Sequence, residues 1–175
     1  DILLPGVESF ALQGDRVIVE VMALLGVKSA FLPDGLRLTK TVSTDFLTWD
    51  FTNCPDLAQT VLPVCAIKRV RGEFTGLESL RIKETDRIAA LQRELAKVGA
   101  SLEEDGNRWK LIPGDIPTSK PQFNTYHDHR MAMGFAPLAT CMDIDIEGPE
   151  VVNKSYPTFW DDMTALGFTI QRGRG

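Results

Sequence analysis

Apolar residues recur at i, i+4 and i+7 in three stretches of the chain, and each stretch ends at a glycine. They are Ile18, Met22 and Leu25 before Gly26; Leu91, Leu95 and Val98 before Gly99; and Phe159, Met163 and Leu166 before Gly167. That spacing sets three side chains on one helical face, and the glycine suits the left-handed position that commonly ends a helix. After the first two glycines the period becomes that of strands. Val27 to Phe31 and Leu36 to Leu38 flank Pro33-Asp34-Gly35, while Ala100 to Glu104 and Arg108 to Ile112 flank Asp105-Gly106-Asn107, so both stretches predict hairpins. The third copy stops at Phe168-Thr169-Ile170. A second helix is predicted after each hairpin, from Asp56 to Ile67 and from Asp128 to Cys141, bent by Pro63 and Pro137. Apolar β-rich runs, Ile67 to Thr75 and Met142 to Val152, then close the units.

The copies are in register. The turn Asp34-Gly35 recurs as Asp105-Gly106 and Lys83 recurs as Lys154, both at an offset of 71 positions. This repeat decides one local ambiguity. Val17 to Val21 is rich in β-branched residues and would read as a strand by propensity, but it aligns with Ala90 to Glu94 inside a clear helical pattern, so a helix is predicted with Asp15 as its N-cap. The expected organisation is a single α/β domain over residues 1–175, with repeats spanning 1–75, 76–146 and 147–175. Three whole units would need about 213 positions, so the first copy lacks its opening strand and the third lacks its hairpin strand and second helix. The chain also opens at Asp1 without a methionine, and a piece of a longer protein is expected.

Composition narrows the function classes. A formal net charge of −5 argues against a nucleic-acid surface, because binders of the phosphate backbone usually carry a basic excess. No apolar run approaches the ~20 residues of a membrane helix, and no signal-peptide pattern opens the chain. Cys54, Cys65 and Cys141 lie far apart and fit neither zinc spacing nor a disulfide framework. They are expected to be small hydrophobes in a reducing, cytoplasmic setting.

The cations are few and placed. Arg81-Ile82-Lys83-Glu84-Thr85-Asp86-Arg87 leads into a predicted helix, and a helix start offers unpaired N–H groups to anions. Read alone, it fits either an anion site or a solvated first turn capped by Asp86. Both histidines of the chain fall in Tyr126-His127-Asp128-His129-Arg130-Met131. Two imidazoles one residue apart without a third clustered ligand argue against a metal, and Asp128 suits a helix cap. Asp56 aligns with Asp128 or Arg130 within two residues. Asp56, Lys83, Glu84, Arg87, Arg130 and Lys154 thus all precede or begin helices, and quasi-equivalent units would gather them on one face. Four cations gathered there imply a multiply charged anionic substrate, and two carboxyl groups among them supply acid–base chemistry.

Four motifs, in order and spacing, closely resemble the 5-enolpyruvylshikimate-3-phosphate synthase family: Pro55-Asp56, Arg81 to Arg87, Asp128-His129-Arg130-Met131-Ala132-Met133, and Lys154-Ser155-Tyr156-Pro157. The resemblance covers the whole chain and matches the C-terminal part of that enzyme. It implies an inside-out α/β barrel of two globes, each built from three βαβαββ units, which agrees with the repeat. It also implies transfer of the enolpyruvyl group of phosphoenolpyruvate to the 5-hydroxyl of shikimate 3-phosphate with release of phosphate, and no cofactor or metal.

By matching position, the resemblance makes Asp56 the base at the 5-hydroxyl and gives Lys83 to shikimate 3-phosphate. Glu84 would handle the proton at the methylene carbon, Arg87 and Arg130 would clamp the carboxylate of phosphoenolpyruvate, and Lys154 would meet its phosphate. Some members carry an asparagine four residues before the motif lysine; this chain has Ser79 there, and the position is left out of the site. The family's N-terminal globe, with its lysine, glycine-rich segment and phosphate-binding serines, is missing from these residues, so the chain alone is expected to be inactive. Two rival readings are a UDP-N-acetylglucosamine enolpyruvyl transferase, which lacks the paired Lys-Glu-Thr-Asp-Arg and Asp-His-Arg-Met signatures, and a non-catalytic anion-binding module, for which Asp56 would be out of place.

Overall fold

A computed structural model describes residues 1–8, 14–83, 85–171 and 173. In chain order the elements are β1 (Ile2–Pro5), α1 (Ile18–Leu24), β2 (Val27–Leu32), β3 (Gly35–Lys40), β4 (Phe46–Asp50), α2 (Ala58–Ile67), β5 (Arg71–Thr75), α3 (Arg87–Ala96), β6 (Ser101–Asp105), β7 (Arg108–Ile112), β8 (Gln122–Asn124), α4 (His129–Phe135), β9 (Asp145–Glu147) and α5 (Phe159–Ala165). The glycines that close α1, α3 and α5 all take left-handed angles, with φ of 92° at Gly26, 77° at Gly99 and 100° at Gly167. A side chain would strain each of them, which is why the helical period stops there.

Both expected hairpins form. β2 pairs antiparallel with β3 around Pro33-Asp34, and β6 with β7 around Gly106-Asn107. The larger sheet has the order β4-β5-β7-β6, with β4 parallel to β5. A parallel pair needs a crossover, and α2 supplies it; β8 and β9 form a second parallel pair joined through α4. The order strand, helix, strand, helix, hairpin is complete once among the described residues, from β4 to β7. The strands of the described residues fall into three separate sheets, β1-β3-β2, β4-β5-β7-β6 and β8-β9, in a mixed α/β architecture.

The main core lies between the larger sheet and the helices α2 and α3. Leu47, Phe74, Trp109 and Leu111 from the sheet meet Val61, Leu62 and Cys65 of α2 and Ile88, Leu91 and Leu95 of α3, all with almost no exposed surface. A smaller cluster of Ala132, Ala136, Val152, Phe159 and Met163 seats α4 on α5. Gly134 allows α4 to lie against α2, since a Cβ there would overlap the carbonyl oxygen of Gln59. The starts of α2 and α4 also meet, through a hydrogen bond from Gln59 to Asp128, and the site forms there.

Four expectations need correcting. Asp15 is not the cap of α1: it lies in a 3₁₀ turn, Gly14–Val17, and the N-cap position is Val17, which makes no side-chain cap bond. Ile67 belongs to α2 rather than to a strand, and of Met142 to Val152 only Asp145–Glu147 is β. Gly148, at φ 65°, turns the chain into a 3₁₀ segment, Pro149–Lys154, because Pro149 has no N–H to offer a strand partner. Phe168 to Ile170 forms no strand, and Leu166 is 73% exposed. The second helix of the second unit is two pieces, α4 followed by a 3₁₀ segment, Ala136–Thr140, with the break falling just before Pro137.

Candidate active site

Three helix starts converge beside the core. Asp56 sits in a 3₁₀ turn, Pro55–Leu57, that links β4 to α2; Arg87 is the first residue of α3; Asp128 is the N-cap of α4. Proline at the first position of the Asp56 turn has the φ such a start needs. Asp86 caps α3 by accepting a hydrogen bond from the Ala89 N–H at 3.0 Å, so the sequence reading of Asp86 as a cap holds.

Asp56 is the meeting point. Its Oδ1 accepts from Arg87 Nη1 at 2.7 Å and lies 3.8 Å from Lys83 Nζ, while its Oδ2 lies 3.1 Å from Arg130 Nη2. Three cations from three different elements thus face one carboxylate that is about a quarter exposed. They differ in access. Arg87 is 2% exposed, whereas Arg130 and Lys83 are 32% and 37% exposed and can reach a ligand from solvent.

Arg87 is held from behind by Asp128, a carboxylate with no exposed surface. Its Nε donates to Asp128 Oδ2 at 2.6 Å and its Nη2 to Oδ1 at 3.4 Å, a fork geometry that lysine could not reproduce. Asp128 also accepts from the Arg130 N–H at 2.9 Å and from Gln59 Nε2 at 3.3 Å. One buried carboxylate therefore caps α4, aims Arg87 and sets where Arg130 starts. Removing the charge from one side of such a buried pair costs far more than an exposed ion pair is worth.

The site residues anticipated from sequence are thus mostly brought together: Asp56, Lys83, Arg87 and Arg130 form one cluster. Lys154 ends the 3₁₀ segment that packs on α4, is exposed, and makes no ion pair among the described residues. Glu84 lies outside the described residues. No group of three or more histidine, cysteine or acidic side chains suited to a metal occurs among the described residues.

The chain is similar to known proteins along almost its whole length. The family model of EPSP synthase (3-phosphoshikimate 1-carboxyvinyltransferase) matches residues 1–163. The chain belongs to the EPSP synthase family. It is 44% identical over 177 residues to a 3-phosphoshikimate 1-carboxyvinyltransferase of Bacteroides fragilis, covering 99% of this chain and 43% of that protein. A protein of the same name from Clostridium kluyveri is 33% identical, covering 94% of this chain and 39% of its own length. The chain therefore spans less than half the length of these relatives. Among solved structures, an EPSP synthase from Acinetobacter baumannii superposes with a TM-score of 0.68 at 21% identity, over 97% of this chain and 42% of that one, and the two share a fold.

Two features of the site went unread in the sequence. Asp128 read as a cap, and its hold on Arg87 was not visible because the two lie 41 positions apart. Glu94 does carry a signal in the sequence. It lies seven residues after Arg87, on the same helical face as Leu91, Leu95 and Val98, and a carboxylate on an apolar face demands a partner. It has several: the Tyr126 hydroxyl donates to Oε1 at 2.6 Å, and the Asn124 N–H and Lys97 Nζ donate to Oε2 at 3.0 and 2.7 Å. Tyr126 and the next residue, His127, both take left-handed angles, φ 53° and 59°. For residues other than glycine such angles cost about 1–3 kcal/mol each, so the surrounding contacts must enforce them.

Proposed function

We propose that this chain supplies the phosphoenolpyruvate side of an enolpyruvyl transfer site, acting with an N-terminal region of the size its relatives carry. In this reading it forms much of one globe of an inside-out α/β barrel built from repeated βαβαββ units. The reaction joins phosphoenolpyruvate to the 5-hydroxyl of shikimate 3-phosphate and releases phosphate. The observation that carries the proposal is the convergence of Lys83, Arg87 and Arg130 on Asp56. A pure anion-binding module would gain nothing from a carboxylate among its cations, whereas an addition reaction needs both.

The chemistry follows from the charges. Asp56 takes the proton of the attacking 5-hydroxyl while Glu84 delivers one to the methylene carbon, and the new C–O bond closes a tetrahedral intermediate. That intermediate keeps a carboxylate and a phosphate, so stabilising it requires fixed cations aimed at both. Arg130, accessible and fork-shaped, suits the carboxylate; Arg87, aimed by Asp128, backs it; Lys154 meets the phosphate and Lys83 the shikimate 3-phosphate. An incoming carboxylate competes with Asp56 for Arg130, so binding one substrate loosens the base that the other requires. Glu84 then takes back a proton from the methyl group as the C–O bond to phosphate breaks, which reforms the double bond and releases phosphate.

No helix of the described residues is long and apolar enough to cross a membrane, and a cytoplasmic setting fits small, charged, intracellular substrates. A phosphate-release assay on the full-length protein tests the proposal. Release that needs both phosphoenolpyruvate and shikimate 3-phosphate is expected. Release with UDP-N-acetylglucosamine as acceptor, or no release at all, would contradict it. The 175-residue chain alone should show no turnover, since closure and half the substrate contacts would be missing.

A further inference from the structure

Two polar rungs tie α3 to the segment between β8 and α4. The first is Arg87 with Asp128, inside the cluster described above. The second is Glu94 with Tyr126 and Asn124, seven residues further along the same helical face, or about 10 Å at the rise of an α-helix. The consecutive left-handed residues Tyr126 and His127 carry the chain from the second rung to Asp128 of the first. Neither is a glycine, so the turn they make is not one the local chain prefers.

We propose that Glu94, acting through the Tyr126 hydroxyl, is a positioning residue for the anion clamp: it holds the strained Tyr126-His127 turn that delivers Asp128 to Arg87 and Arg130 to Asp56. Glu94 has no exposed surface, so its charge is there for contacts inside the protein and not for solvent. Its two oxygens divide the task. Oε2 fixes the end of β8 through the Asn124 N–H, and Oε1 fixes the ring of Tyr126 two residues on. Together they define where the chain enters the turn and where the first left-handed residue must lie. Burial, then the hydrogen bond to Glu94, hold the Tyr126 phenol above its ordinary value, so it stays protonated and remains the donor. Lys97, which also donates to the Gln122 carbonyl, matches the Glu94 charge from the solvent side. A register error in this turn would move the Asp128 carboxyl away from the Arg87 fork and shift the start of α4 that carries Arg130.

The inference rests on the proposed enolpyruvyl transfer for its kinetic readout but not for its structural one. In the full-length protein, Tyr126→Phe removes one hydroxyl and Glu94→Gln keeps an acceptor while removing the charge. Tyr126→Phe is expected to speed hydrogen exchange at Arg87 Nε–H at least tenfold, followed by nitrogen NMR, while amides in the middle of α3 keep their protection. It should raise the KM for phosphoenolpyruvate roughly fivefold or more, leave the KM for shikimate 3-phosphate within twofold, and be milder in Glu94→Gln. Leu102→Ala, a cavity in the β6–β7 hairpin, serves as a control that lowers stability without touching the turn. The assignment is overturned if Arg87 Nε–H exchange is unchanged in Tyr126→Phe, or if its α3 amides lose protection and both KM values move together. It is equally overturned if both variants fail to fold, which would make the pair a folding element. If the parent shows no turnover, the enolpyruvyl reading fails while the Arg87 exchange measurement still decides the positioning.

Discussion

Replacing Asp128 by asparagine isolates the buried charge that aims Arg87. Asparagine caps a helix as well as aspartate does, so the bond from the Arg130 N–H survives and the start of α4 is not itself at stake. What changes is the contact with Arg87. The fork now faces a neutral amide whose nitrogen is a donor, and a guanidinium that is 2% exposed loses its nearer countercharge. Breaking a buried pair from one side costs about 3–5 kcal/mol. Asp56 still accepts from Arg87 Nη1 at 2.7 Å, which pulls the expected loss to the lower end, about 3 kcal/mol. For a chain of this size each kcal/mol lowers Tm by roughly 2–4 °C, so Asp128→Asn should melt about 6–12 °C below the parent. Asp56→Asn is the matched comparison. Its carboxylate is partly solvated, and exposed ion pairs are worth at most about 1 kcal/mol, so its Tm should fall by only a few degrees. Thermal unfolding of the three proteins, followed by circular dichroism in one buffer, measures both shifts. Equal shifts, or a drop below about 3 °C for Asp128→Asn, would refute the claim that Asp128 is the structural anchor of the site.

Other substitutions separate catalysis from binding. In the full-length protein, Asp56→Asn should lower kcat by roughly 10²–10⁴, with a smaller change in either KM, measured by phosphate release. Arg130→Ala and Lys154→Ala should chiefly raise the KM for phosphoenolpyruvate, and Arg130→Lys should rescue only in part because a carboxylate clamp uses the planar fork. Thiol labelling at pH 8 should modify Cys141, which is exposed, and spare Cys54 and Cys65 until the protein is unfolded. Burial pushes the Cys65 thiol up to about 12 from an ordinary 9.0, and also raises Cys54. Because the folded state holds the Cys65 proton more tightly than the unfolded one, its contribution to stability is intact below pH 9 and is lost as pH climbs toward 12. Alkaline melting curves of Cys65→Ala against the parent should therefore converge across that window.

What the sequence disclosed and what it hid follow from range. Helices α1, α3 and α5 were legible because their apolar period and terminal glycines are local, and the repeat carried the helical reading across the β-branched Val17 to Val21 stretch. The hairpins were legible from their turns. Strands β1, β4 and β8 were not, because β1 is exposed along its whole length, β4 is largely so, and β8 has only three residues, which leaves little pattern to read. In the site, Asp56, Lys83, Arg87 and Arg130 are legible because each begins a helix or closely precedes one in the sequence. Their partners were another matter. The Arg87–Asp128 and Glu94–Tyr126 contacts join residues 41 and 32 positions apart, and no local rule pairs them. Gln59 gave no sign at all, yet it lies fully buried against Asp128.

The cationic cluster around Asp56 is proposed to stabilise a tetrahedral carbon bearing both a carboxylate and a phosphate. Phosphoenolpyruvate labelled with ¹⁸O in its bridging C–O–P oxygen tests this directly, using the full-length protein with shikimate 3-phosphate and mass analysis of both products. If the intermediate forms by addition at carbon and collapses by expelling phosphate, the C–O bond breaks and the label leaves in inorganic phosphate. Label retained in the carbon product would mean that the P–O bond breaks instead, and that the cluster serves phosphoryl chemistry rather than enolpyruvyl transfer.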